Sequence, residues 1–123
     1  MRMLDRRSHK PSILMCVGAL LAAVAIGLSA YAAHGVSDPR TQSWLQTAAL
    51  YAFGHGVTLA VLGAAVECAL AQLALCLLLA GTLLFSGSLV GGALWHWPTR
   101  LAPVGGVVMM VGWVVLAINA LRR

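Results

Sequence analysis

Four stretches without a charged side chain, Pro11 to Ala33, Thr41 to Val66, Cys68 to Thr99 and Leu101 to Leu121, set the limits on what this chain can become. Each reaches the ~20 apolar residues that carry a helix across ~30 Å of hydrocarbon. Backbone amides in lipid must be satisfied internally, so the stretches are either helices or strands of a closed barrel. They run through Leu, Ala, Val and Gly with no period-two alternation, which excludes the barrel. Only 9% of the residues are charged and 61% are hydrophobic. A soluble domain is typically about 25% charged, so this chain has too little polar surface for one. The fold class that follows is an all-α integral membrane protein, a single domain of four transmembrane helices in an antiparallel bundle.

The net charge of +5 would suggest nucleic acid in a soluble protein, but here its location decides the reading. Arg2, Arg6, Arg7 and Lys10 precede the first span and Arg122 and Arg123 follow the last, while Arg40 and Arg100 sit in the two loops on the other side. The positive-inside rule then places both termini in the cytoplasm. The basic ends orient the protein against anionic lipid, and nucleic acid is not a partner. On this topology Cys16 and Cys76 fall in cytoplasmic halves of helices and Cys68 in a cytoplasmic turn, where thiols stay reduced.

Residues 1–12 form a basic head and 122–123 a basic tail, with helices expected at about 13–33, 44–66, 72–95 and 103–121. The first apolar run exceeds the ~7 to 15 residues of a signal-peptide core, so it reads as an uncleaved span. Gly18, Ala19, Ala22, Ala23 and Gly27 give it a small-residue face. From His34 to Ser43 the chain reads as a loop, closed by a capping box of Ser43 and Gln46 that starts helix 2 at Trp44. The join to helix 3 is marked only by Glu67. Trp97 and Pro98 end helix 3, and Pro103 suits the first turn of helix 4.

Helix 2 carries the side chains that most invite a functional reading. At about 100° per residue, Thr47, Tyr51, Thr58 and His55 fall within an arc of roughly 80°, a polar stripe that must face protein. Counting inward along helix 3 puts Thr82 and Ser86 at the depth of His55, so an imidazole to hydroxyl bond between helices 2 and 3 is expected, of the kind that contributes about 0.6 kcal/mol in membrane proteins. Gly87 and Gly91 form a GxxxG pair in helix 3, and Gly105, Gly106 and Gly112 recur in helix 4. These are helix-packing signals. The same small-residue faces are candidate surfaces for a second copy of the chain or another membrane protein.

Several motifs occur in a fixed order: Ala33, His34 and Gly35; Trp44 to Thr47 leading to Tyr51 and His55; LFSGSL from Leu84 to Leu89; and APVGG from Ala102 to Gly106 followed by Gly112 and Trp113. In this the chain resembles the YgdD-like family of small inner-membrane proteins across nearly its whole length. The resemblance implies four spans in a bacterial inner membrane and carries no established biochemical activity.

His34, His55 and His96 all fall in the outer half on this topology, with Tyr31, Tyr51, Trp44, Trp95 and Trp97, which raises a metal, haem or quinone site. Depth argues against a shared metal: His55 lies about 16 Å below the start of helix 2 at 1.5 Å per residue, His34 and His96 sit at helix ends, and zinc to nitrogen bonds are only ~2.0 to 2.1 Å. No cofactor is assigned. His55 can also be read as a proton carrier in a small homo-oligomeric transporter, because intramembrane ionisable residues are functional candidates by default. Ser86 and Ser88 lack an acid and a base at compatible spacing, and Glu67 reads as a solvated turn residue, so no catalytic residue is named and the chain reads as no enzyme. The expectation is a structural or accessory membrane component in which His55 serves a buried contact.

Overall fold

A computed structural model describes residues 11–122; the basic head before Pro11 and the final Arg123 lie outside the described residues. Four helices follow in order, α1 (Ile13–Gly35), α2 (Pro39–Leu62), α3 (Ala69–Trp95) and α4 (Leu101–Leu121). All four are long and apolar enough to cross a bilayer.

The boundaries differ from expectation where capping chemistry decides them. Helix α2 starts at Pro39 rather than Trp44, because Asp38 is the N-cap: its Oδ2 accepts from the Thr41 amide at 3.0 Å and the Thr41 hydroxyl at 2.7 Å. Proline at the first helical position needs no amide partner and already has a helical φ. The expected capping box is thus interior to α2, and its Gln46, with Gln42 one turn earlier, binds α1 instead. Gln42 Nε2 donates to the Ala32 carbonyl at 2.8 Å and to the Val36 carbonyl at 3.3 Å, satisfying open acceptors at the end of α1. Gln46 exchanges two bonds with Ser29, accepting from its hydroxyl at 2.8 Å and donating to its carbonyl at 3.1 Å.

Helix α2 also stops early, at Leu62 rather than residue 66, in a turn that begins at Gly63. Gly63 touches α1 so closely that an added Cβ would lie 2.8 Å from the Leu14 Cβ and the Met15 nitrogen. Gln72 donates to the Val66 carbonyl at 2.7 Å, which lets α3 begin at Ala69 rather than 72. Helix α3 ends at Trp95 as expected, and His96 takes the left-handed φ of 58°. Helix α4 begins at Leu101, so Pro103 lies in its first turn.

The bundle is two hairpins, α1 with α2 and α3 with α4, joined along α2 and α3 by a smaller contact; α1 and α4 share no extended face. Glycines let the backbones meet within each hairpin. An ideal Cβ on Gly18 would lie 2.5 Å from the Ala60 nitrogen and the Gly56 carbonyl, and one on Gly56 would lie 2.7 Å from the Gly18 carbonyl. In the second hairpin a Cβ on Gly81 would lie 2.7 Å from the Met109 nitrogen and 2.8 Å from the Gly105 carbonyl, and one on Gly112 would lie 3.1 Å from the Leu78 nitrogen. Such approach replaces the hydrophobic drive that lipid cannot supply with dispersion contacts.

The expected GxxxG pair plays no part in this packing. Gly87 has open space beside it, and Gly91 lies under the ring of Trp97 from the following turn. Gly106 meets only Phe85, at 3.9 Å, whereas Gly105 and Gly112 lie against α3. Between the hairpins, Leu59, Leu75 and Leu78 form a fully buried cluster, extended by Leu14, Leu21, Leu62, Val66 and Leu79.

Candidate functional site

His55 sits in the interior of the bundle, 8% exposed, with both ring nitrogens engaged. Nδ1 lies 2.8 Å from the Tyr51 carbonyl one turn earlier, and the Trp113 indole of α4 donates to Nε2 at 3.0 Å. A carbonyl can only accept and an indole N–H can only donate, so the two partners fix the tautomer: the proton is on Nδ1 and the lone pair is on Nε2. The Nε2 lone pair is thereby occupied by the indole N–H.

Aromatic rings surround the pair. The His55 and Trp113 centroids are 5.7 Å apart at 60°, Tyr51 lies roughly parallel to His55 at 6.2 Å, and Phe85 meets Tyr51 edge-on at 4.8 Å. Side chains from α2, α3 and α4 thus close around one polar contact.

The hydroxyls expected to meet His55 do not. Thr82 donates to the Leu78 carbonyl at 2.7 Å and lies 3.6 Å from the Met109 sulfur, and Ser86 donates to the Ala48 carbonyl of α2 at 2.9 Å. Thr58 donates to the Gly54 carbonyl at 2.9 Å. Thr82 and Thr58 each turn back to the carbonyl four residues earlier, the usual outlet for a hydroxyl inside a helix, which leaves them no proton to offer across the interface. Thr47, also of this stripe, is half-buried. Of the stripe and its two expected partners on α3, only Tyr51 meets the His55 imidazole, while Ser86 makes a separate tie between the hairpins.

Trp113 was not among the expected site residues. Its signal is position: a tryptophan in the second half of α4 lies away from the interfacial belt where indoles usually sit, and an indole N–H away from water needs an acceptor. The Gln42 and Gln46 bonds to α1 were missed for a related reason, since both residues were assigned to a loop and a cap.

The other two histidines among the described residues go elsewhere. His34, in the last turn of α1, borders an outward groove between α1 and α2, and His96 borders a cleft at the α3–α4 turn. The structure does not bring them to His55, and among the described residues no three metal-ligating side chains converge. The three cysteines are free and exposed. Cys68, the N-cap of α3, has its thiol held below the ordinary range by the amides of Ala71 and Leu70, with a smaller contribution from Arg122.

Residues 28–106 match the family described as protein of unknown function DUF423, a span that includes His55 and stops short of Trp113. A UPF0382 membrane protein of Staphylococcus epidermidis is 33% identical over 117 residues, covering 89% of this chain and 96% of the relative. One from Haemophilus influenzae is 33% identical over 111 residues, covering 79% and 84%. The UPF0382 inner membrane protein YgdD of Escherichia coli K12 is 33% identical over 123 residues, covering 89% of each chain. No solved structure matches the chain significantly. Four membrane-length helices and relatives matched over most of their length lead to one assignment: the chain belongs to the DUF423 family of UPF0382 membrane proteins, as a multi-pass protein of the bacterial inner membrane.

Proposed function

We propose that the protein is a non-enzymatic structural component of the inner membrane, a helical scaffold that meets lipid and a second copy or another membrane protein through its outer faces. The observation that carries this reading is the commitment of both His55 nitrogens to partners inside the chain. A proton carrier needs a nitrogen that can be reached and released, and this one is closed by an indole that offers no onward path for a proton. The competing reading, a small transporter with His55 as proton relay, predicts the opposite behaviour.

Purified protein in liposomes is expected to give no proton-coupled flux above that of protein-free liposomes, with His55→Gln indistinguishable from the parent. Flux in the parent that vanishes in a folded His55→Gln variant overturns the scaffold reading. The proposal also places both termini in the cytoplasm, on the charge asymmetry of Arg122 and the N-terminal basic residues against Arg40 and Arg100. A phosphatase fused after Arg123 is expected to be inactive and a cytoplasmic fluorescent reporter at the same point bright; active phosphatase reverses the orientation.

A further inference from the structure

The start of α2 and the turn between α3 and α4 enclose a cleft of about 330 Å³ that the His55 contact does not use. Its floor is Gly92, where a Cβ would lie 2.5 Å from Thr99 Cγ2 and 3.1 Å from the Trp44 ring. One wall is Trp97, whose amide donates to the Gly91 carbonyl at 3.2 Å and whose ring covers Gly91 and stacks on Trp95 at 5.4 Å. The cleft is therefore built from backbone packed too closely to admit further side chains.

Two opposite fixed charges line it. Asp38 accepts both Thr41 bonds through Oδ2 alone, which leaves Oδ1 without a hydrogen-bond partner among the described residues. The Thr41 hydroxyl first, and its amide second, hold the Asp38 carboxyl below the usual carboxylate range, so it is ionised at neutral pH. The Arg40 guanidinium lies over the Trp44 ring at 4.5 Å from its centroid. Its charge also lowers Asp38, yet no ion pair closes between the two among the described residues. A cation and an anion stand side by side in one cleft, each with bonding capacity left over.

That arrangement selects a zwitterion. An anion alone meets repulsion from Asp38, and a cation alone meets it from Arg40. A quaternary ammonium has no N–H to give Asp38, and the Trp44 face that could otherwise receive it is taken by Arg40. A primary ammonium two carbons from a phosphate satisfies both charges with directed hydrogen bonds. The cleft also lies where α2 begins and α3 ends, flanked by Trp44, Trp95 and Trp97, which is the level of lipid headgroups. We propose that it binds the phosphoethanolamine headgroup of a bilayer phospholipid, with the phosphate on Arg40 and the ammonium on Asp38.

The test is native mass spectrometry of the full chain in detergent, titrated with phosphatidylethanolamine, phosphatidylcholine and phosphatidylglycerol of identical acyl chains. The ethanolamine lipid is expected to bind about tenfold tighter than either of the others, the equivalent of one charge-assisted hydrogen bond. Asp38→Asn keeps a good N-cap residue and so preserves the helix start, but it is expected to bring the ethanolamine lipid down to the level of the choline lipid. Arg40→Gln, which leaves the cap intact, is expected to weaken the ethanolamine lipid as well. Equal binding of all three lipids, tighter binding of the glycerol lipid, or a preference for ethanolamine that survives in Asp38→Asn overturns the proposal.

Discussion

Gly56→Leu is expected to unpack the first hairpin, lowering stability by about 3 kcal/mol, the upper end of what overpacking usually costs. The reason lies in what surrounds the glycine. A Cβ there would meet the Gly18 carbonyl at 2.7 Å, the Ala22 nitrogen at 2.9 Å and the Leu21 Cβ at 3.0 Å. Two of those atoms are backbone, so no rotamer change makes room; α1 itself has to move away. When it does, the Gln46 to Ser29 bonds in the same hairpin lose their geometry too. Gly54 provides the control, because it lies in the same helix with nothing within 4 Å of its would-be Cβ. Gly54→Leu is expected to stay within about 0.5 kcal/mol of the parent. Unfolding in detergent by heat or by sodium dodecyl sulfate, followed by circular dichroism, separates the two; equal losses would mean that the close approach at Gly56 is not what holds α1.

The second large effect is expected at Trp113. Trp113→Phe keeps most of the ring but removes the one donor to His55 Nε2 among the described residues, leaving a buried acceptor unmet at a cost of about 1 to 3 kcal/mol. Adding His55→Phe should recover part of that loss, since no unpaired polar atom then remains at the site. A double-mutant cycle on the pair is expected to give a coupling of about 0.6 kcal/mol. Trp95→Phe, at an indole 59% exposed, should be close to neutral. A coupling indistinguishable from zero would assign the Trp113 effect to ring packing against α2 and not to the hydrogen bond.

Much of the fold could be read before any coordinates. Four charge-free stretches specify four spans, because a bilayer imposes a length that no other environment does. The ends were harder. Asp38 and Ser43 are both good N-caps in sequence, and what favours Asp38 is that Pro39 follows it and Gln46 is needed elsewhere, at Ser29. Gly63 was passed over because it continues an apolar run, yet the closeness of Leu14 and Met15 makes it the place where the chain can turn. Glycine spacing along one helix proved a weak guide to contact: of the pair that matches the motif, Gly87 faces open space and Gly91 lies against Trp97, while Gly18 with Gly56 and Gly81 with Gly105 pair across helices. The depth of His55 was legible and its partner was not. Depth follows from counting residues, whereas the rotation that turns an imidazole toward Trp113 and away from Thr82 is set by packing between helices far apart in sequence.

The division into two hairpins bears on how the chain enters its membrane. On the proposed orientation the segments 36–38 and 96–100 lie on the far side, and each joins two helices that fit one another through glycine contacts. Translocation then moves short loops carrying Asp38 and Arg100, with Arg40 in the first helical turn beside them. Each pair can leave the insertion machinery already closed on itself. What joins the two pairs is the Leu59, Leu75 and Leu78 cluster, the Ser86 bond to the Ala48 carbonyl and the Trp113 bond to His55. The contacts within each hairpin are thus separate from those that join the two, and the His55 imidazole belongs to the second set.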